Sequence, residues 1–124
     1  MRKIFVAIIF LFTIGLADSA YSQCPRMDTN VVKPLKLVGG TATVKDTIRL
    51  CTSHVFKFRA MRGQQISLKL TTGKKTSLTL MAPSGEALVD GGSSWRGRLA
   101  ESGQYEIQIG TDATAAYVLE ITIK

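Results

Sequence analysis

Residues 54–70 read HVFKFRAMRGQQISLKL, two alternating runs of apolar and polar side chains separated by a turn at Arg62-Gly63. One face of the two runs is apolar. It comprises Phe56, Phe58, Ala60, Ile66, Leu68 and Leu70. A period of two residues is typical of strands that bury one face and expose the other. The stretch therefore predicts two consecutive strands of an antiparallel sheet.

The same pattern recurs along the chain. Further alternating runs read TSLTLMA, YEIQIG and YVLEITIK, and turns rich in Gly, Ser and Thr separate the runs. Turn signals every eight to twelve residues or so, without helical periodicity, are typical of a sandwich or barrel. We expect an all-β fold, an antiparallel and jelly-roll-like β-sandwich of about eight strands.

The N-terminus resembles an export signal. A short basic leader at residues 1–3 precedes an apolar run at residues 4–17. This run is shorter than the roughly twenty residues that span a bilayer. Small residues at Ala20 and Ser22 favour cleavage before Gln23. We expect a signal peptide at 1–22, one domain at 23–124 with an extended arm at 23–35, no transmembrane segment after cleavage, and a periplasmic or extracellular location.

Two cysteines, Cys24 and Cys51, follow the predicted cleavage site. In an exported chain, an even number of cysteines favours a disulfide, here worth about 3.5 kcal/mol by chain entropy. The alternative is a lipid-modified Cys24. A lipoprotein signal would have Leu three residues before the cysteine, where this chain has Tyr21. We therefore predict the disulfide Cys24–Cys51.

The chain is basic, with 16 Lys and Arg against 9 Asp and Glu. Such a balance favours anionic partners, among them an anionic envelope polymer such as a glycan or lipid. Candidate members of a basic face are Lys57, Arg59, Lys69, Arg96 and Arg98. These charges have two simpler interpretations, solubility and protection of sheet edges. Nucleic acid is a less favoured partner, because the aromatic residues fall mainly on packed positions.

Catalytic and metal-binding motifs are not found in the sequence. The only histidine, His54, heads a strand, where a solvated or hydrogen-bonded surface residue is typical. No nucleophile elbow, zinc ligand set or calcium loop is present. We expect a protein that is not an enzyme and has neither a cofactor nor a metal.

Four segments resemble the pre-peptidase C-terminal-like β-sandwich domains. They are HVFKFRAMRGQQISLKL, LMAPSGEAL, WRGRLAESGQYEIQI and YVLEITI, and the resemblance covers about residues 36–124. Stand-alone relatives include periplasmic inhibitors of goose-type and invertebrate-type lysozymes, in which a Ser-Gly-x-Tyr loop can enter the lysozyme cleft. The resemblance implies that Ser102, Gly103 and Tyr105 bind a partner. At Ala100 the chain departs from its relatives, which usually carry Pro.

Two functions remain open from the sequence. The first is an exported, non-catalytic binding protein similar to the lysozyme inhibitors. The second is an adhesion or envelope-polymer module without inhibitory activity. The Ser102-Gly103 turn also has a purely structural interpretation, in which Gly103 supplies the turn and Tyr105 packs its ring and hydrogen-bonds its hydroxyl at a corner of the sandwich.

The disulfide can be tested by intact-mass measurement of the exported protein after alkylation, with and without reductant. We expect two alkylated cysteines only after reduction. Alkylation without reductant, or a mass increase matching a diacylglycerol, would contradict the pairing.

Overall fold

The structure, a computed structural model, describes residues 30–73 and 76–124. These ranges contain nine strands, where about eight were expected, and no helix long and apolar enough to cross a membrane. The strands are β1 (Asn30–Lys33), β2 (Thr41–Ile48), β3 (Ser53–Ala60), β4 (Gln65–Thr72), β5 (Thr76–Met81), β6 (Ala87–Gly92), β7 (Ser94–Arg98), β8 (Gly103–Thr111) and β9 (Ala115–Ile123).

The strands form two sheets. One sheet has five strands in the order β1-β3-β8-β5-β6, and the other has four in the order β2-β9-β4-β7. The short strand β1 pairs in parallel with β3, and the other pairs of neighbours are antiparallel. The predicted all-β sandwich is confirmed.

Both sheets contribute one face to a shared core. Along β8 and β9 every second side chain is buried, from Tyr105 to Ile109 and from Ala115 to Ile123. Burying a large aliphatic or aromatic side chain is worth about 1.5–3 kcal/mol relative to leaving it exposed. Among the described residues, those with no exposed surface are Ile48, Phe56, Leu78, Leu80, Tyr105, Ile107, Ile109, Leu119 and Ile121. The alternation in residues 54–70 predicted the inward faces of β3 and β4 correctly.

The chain changes sheet at most of its connections. It crosses from β3 to β4 at residues 61–64 and from β7 to β8 at residues 99–102. Ala60 pairs with Gly103, and Gln65 pairs with Arg98, so both crossings lie at the same end of the sandwich. Most strands that follow one another along the chain therefore lie on opposite sides of the core, and the hairpin of β5 and β6 is the exception.

The predictions for the N-terminal region fall largely outside the described residues. The signal peptide, its cleavage site and Cys24 lie there, so the bond to Cys51 stays a prediction. Of the predicted arm at 23–35, the described part begins at Asn30 and includes β1. The domain boundaries also stay a prediction.

The expectation of a surface position for His54 was wrong. The side chain is buried, with 4% of the residue exposed, because it lies in phase with Phe56 and Phe58 on the inner face of β3. Its Nδ1 lies 2.7 Å from the hydroxyl oxygen of Tyr117 on β9. Burial raises the pKa of Tyr117, so this hydroxyl keeps its proton and shares a hydrogen bond with the imidazole.

Two charged residues complete this corner of the sandwich. Lys33 on β1 and Asp46 on β2 form an ion pair of 2.8 Å between the two sheets, and Asp46 Oδ2 lies 3.9 Å from His54 Nδ1. Burial lowers the pKa of His54, and the nearby Lys33 ammonium adds to that effect while the Asp46 carboxylate opposes it. The hydrogen bond from Lys33 lowers the pKa of the Asp46 carboxyl. About a third of each ion-pair side chain is exposed, so the pair is worth under about 1 kcal/mol.

The lowered pKa values of His54 and Asp46 predict that the folded protein loses stability in acid. An unfolded chain protonates His54 near its ordinary pKa of about 6.5, whereas the buried imidazole accepts a proton only at lower pH. Because the unfolded state then binds more protons, stability falls as the pH drops below about 6.5. The lowered pKa of Asp46 adds a further loss below about pH 4. We expect the melting temperature to fall between pH 7 and pH 5.

The matched variant is His54→Asn, which cannot titrate but keeps an amide that can either donate to or accept from the hydroxyl of Tyr117. Because His54 is the only histidine of the chain, this variant should melt at nearly the same temperature at both pH values. An identical pH dependence in wild type and variant would rule out the buried imidazole as its source.

Candidate functional site

The connection between β7 and β8 contains the Ser-Gly-x-Tyr residues and begins at a buried leucine. Leu99 is 1% exposed, and its backbone N–H and carbonyl both form hydrogen bonds with the β3–β4 turn. Its N–H donates to the carbonyl of Gln64 at 2.8 Å, and its carbonyl accepts from the N–H of Gly63 at 2.8 Å. The start of the connection is thus fixed to the neighbouring turn.

The buried side chain of Tyr105 holds the other end of the connection. Its ring has no exposed surface and stacks on Phe58, with ring centres 5.6 Å apart and planes 17° apart. Its hydroxyl donates a 2.6 Å hydrogen bond to the carbonyl of Glu101. A buried tyrosine needs such a partner, because an unpaired hydroxyl would cost about 1–3 kcal/mol. The packed ring and the bonded hydroxyl are the contacts expected from the structural interpretation of Tyr105, and its role in binding a partner stays a prediction.

Gly103 allows the turn to approach the β5–β6 connection closely. Its φ of +144° is unfavourable for residues with a side chain, and an added Cβ would lie 3.0 Å from Cγ of Pro83. A glycine is required here for both reasons.

Side chains join the same three connections. The carboxylate of Glu101 accepts from the N–H of Ser84 at 3.1 Å and from its hydroxyl at 2.7 Å. The hydroxyl oxygen of Ser102 accepts from the N–H of Arg62 at 2.8 Å. We call residues 61–64, 82–86 and 99–103 together the loop cluster. These bonds hold the loop in shape.

The loop cluster exposes a mixed set of groups. Ser102 is exposed, and its hydroxyl keeps a proton to donate because Oγ acts as the acceptor toward Arg62. Met61 beside it is 67% exposed. The guanidinium of Arg98 lies across the β3–β4 turn and donates to the carbonyl of Gly63 at 3.1 Å. An outside molecule would meet a hydroxyl donor, an apolar side chain and cations.

The structure does not bring the five candidate basic residues together. Lys57 and Arg59 lie on β3, on the outer face of the five-stranded sheet. Lys69 on β4 and Arg96 and Arg98 on β7 lie on the outer face of the four-stranded sheet. The expectation of a single face was wrong because the chain crosses the core between β3 and β4.

The described residues contain no group of three or more His, Cys, Asp and Glu side chains that could hold a metal ion. They also include the one histidine, His54, which is buried at the opposite end of β3 from the loop cluster. The chemistry available at the loop cluster is hydrogen bonding and charge.

Comparison of the sequence with models of protein families and with curated proteins gives no match. Solved structures do match. PliG from Aeromonas hydrophila, a periplasmic inhibitor of g-type lysozyme, is 20% identical with a TM-score of 0.69, over 77% of this chain and 98% of that one. PliG from Salmonella Typhimurium, also a periplasmic inhibitor of g-type lysozyme, is 20% identical with a TM-score of 0.60, over 77% and 99% of the two chains.

The pre-peptidase C-terminal domain of a collagenase from Bacillus anthracis also matches. It is 15% identical with a TM-score of 0.53, over 80% of this chain and 98% of that one. The chain has the fold of these proteins. The resemblance indicated by the sequence segments is thus confirmed for the fold.

The hydroxyl of Tyr105 can be tested apart from its ring. Tyr105→Phe keeps the stacked ring but leaves the carbonyl of Glu101 unpaired, so we expect a loss of about 1–3 kcal/mol and faster amide exchange at residues 99–103. Tyr105→Ala also removes the ring and should cost about 3–5 kcal/mol. Urea denaturation and hydrogen exchange measure both effects. A Tyr105→Phe variant with wild-type stability and exchange would show that the hydroxyl does not hold the loop.

Proposed function

We propose that this protein is exported to the periplasm and binds a lysozyme there as a non-catalytic inhibitor, with Ser102 at the centre of the contact. The fold shared with two periplasmic lysozyme inhibitors supports the class of function. The observation that carries the proposal is the position of Ser102, exposed on a loop that a buried tyrosine and two neighbouring connections hold in place.

A fixed loop is suited to binding. Ordering a flexible loop during association costs about 0.5–1.5 kcal/mol for each side chain immobilised, and a loop already held in shape avoids much of that cost. Bonds to Ser84, Arg62 and Tyr105 hold the loop in the unbound protein. The loop cluster can therefore enter a cleft without first reorganising.

The exposed groups also suit the chemistry of a lysozyme cleft. Glycosidases of this kind act through carboxyl groups placed around the scissile bond. The hydroxyl of Ser102 and the guanidinium groups of Arg62 and Arg98 belong to exposed residues and can donate to such carboxyl groups. The overall positive charge of the chain would repel a basic lysozyme at a distance, but charges more than about 10 Å apart are largely screened at 0.1 M salt.

The test is Ser102→Ala, with Ser93→Ala as the matched control. Ser93 is an exposed serine between β6 and β7, outside the loop cluster, and its backbone carbonyl, which bonds Leu70, remains in the variant. We expect Ser102→Ala to melt near the wild-type temperature, because water can replace its hydroxyl at the exposed N–H of Arg62. Inhibition should weaken about 5- to 150-fold, the equivalent of 1–3 kcal/mol for a partner group left unpaired.

Inhibition is measured on lysozymes of the goose, invertebrate and chicken types, together with thermal melts of each variant. Ser93→Ala should inhibit like the wild type. If the wild type inhibits none of the three enzymes at micromolar concentration, the proposal is wrong. Equal inhibition by Ser102→Ala and the wild type would remove Ser102 from the contact.

A further inference from the structure

Positive charge is concentrated on the outer face of the four-stranded sheet. Lys69 lies between the buried Leu68 and Leu70 and therefore points outward, and the other strands of the sheet follow the same alternation. We call this surface the basic face. Its exposed cations are Lys45, Lys69, Arg96, Arg98 and Lys124. Glu120, opposite Lys69 in the pairing of β4 and β9, is its one acidic residue among the described residues.

The outer face of the five-stranded sheet is balanced by comparison. Lys57 on β3 pairs directly with Glu106 on β8. Arg59 lies on the same strand, and Asp90 on β6 accepts a hydrogen bond from the hydroxyl of Thr79 at 3.3 Å. The described part of this outer face thus carries two cations and two acids. Net positive charge accounts for solubility, but it does not by itself explain why five exposed cations lie on one sheet and two on the other.

Edge protection accounts for only part of the basic face. Cations on edge strands prevent pairing with other chains, and β2 and β7, which carry Lys45, Arg96 and Arg98, are the edges of this sheet. Lys69 lies on β4, an inner strand of the sheet, and Lys124 directly follows β9, the other inner strand. Protection of a sheet edge therefore does not explain the charges of Lys69 and Lys124.

Most of the remaining groups of the basic face are hydroxyls and amides, and the outward apolar residues of β9 are Ala116 and the partly buried Val118. Gln65, Ser67, Arg96, Thr122 and Lys124 surround a shallow depression of about 360 Å³. Further outward hydroxyls on these strands are Thr41, Thr43, Thr47, Thr71 and Ser94. The aromatic residues of the sheet, Trp95 and Tyr117, pack against the core instead. The surface offers charges and hydrogen bonds but no exposed ring for stacking.

We propose that the basic face binds an acidic polysaccharide. An open surface with several cations suits an extended polyanion, and the hydroxyl and amide groups can bond sugar hydroxyls. Single-stranded nucleic acid would need exposed aromatic rings on which bases stack. Insertion into a lipid surface would need exposed apolar side chains, and the exposed large apolar residues of the described chain, Val31, Val32, Val38 and Met61, lie outside these four strands.

The test measures binding of the mature protein to labelled polygalacturonate, with dextran as the neutral polymer. The variant is Lys69→Gln/Arg96→Gln, and the matched control is Lys57→Gln/Arg59→Gln, which removes the same two charges from the other sheet. We expect wild-type affinity to fall steeply with salt, because exposed charges are screened. The basic-face variant should bind at least about tenfold more weakly, and the control should stay within about threefold of wild type.

Both variants should first be shown to melt near the wild-type temperature. Equal weakening by the two variants would mean that net charge alone attracts the polymer, which would contradict the proposal. The absence of binding to polygalacturonate at low salt would contradict it as well. Anionic vesicles of phosphatidylglycerol and phosphatidylcholine and a short DNA duplex complete the comparison. Tighter binding to either than to polygalacturonate would assign the basic face to that class instead. The proposed lysozyme inhibition is tested separately, because the substituted residues Lys69 and Arg96 lie outside the loop cluster.

Discussion

The constraint on which the structure depends is that two sheets must share one core while the chain passes repeatedly between them. Each crossing places a connection at an end of the sandwich, and the crossings at 61–64 and 99–102 lie side by side there. Buried polar groups at such an end must find partners. The bonds of Leu99, Glu101 and Tyr105 provide them, so the loop cluster follows from the way the core is closed.

Much of the fold could be predicted from the sequence because its signal is local. The alternation of residues 54–70 identifies the buried side chains of β3 and β4 without knowledge of the partners of either strand. The same alternation cannot tell which sheet a strand joins. Lys57 and Lys69 have the same outward phase and lie on opposite sides of the core, because β3 and β4 belong to different sheets.

The contacts of the candidate site could not be predicted for a related reason. Arg62 and Ser102 are 40 positions apart in the chain, Ser84 and Glu101 are 17 apart, and His54 and Tyr117 are 63 apart. Such pairs form only when the strand order is fixed. His54 carried one local sign of burial, its phase with Phe56 and Phe58, which outweighs the usual preference of histidine for the surface.

The two surfaces differ in the kind of partner that they can distinguish. The net charge of the chain acts on every charged partner at long range, but in salt solution this force fades over about 10 Å. Once a partner has come into contact with the protein, specificity depends on how charged, polar and apolar groups are arranged at the contact. The loop cluster presents Ser102 and Met61 among charges of both signs, whereas the basic face presents mostly positive charge over an open surface. An enzyme cleft, which selects its partner by shape, would therefore contact the loop cluster. An anionic polymer, which binds through charge, would contact the basic face.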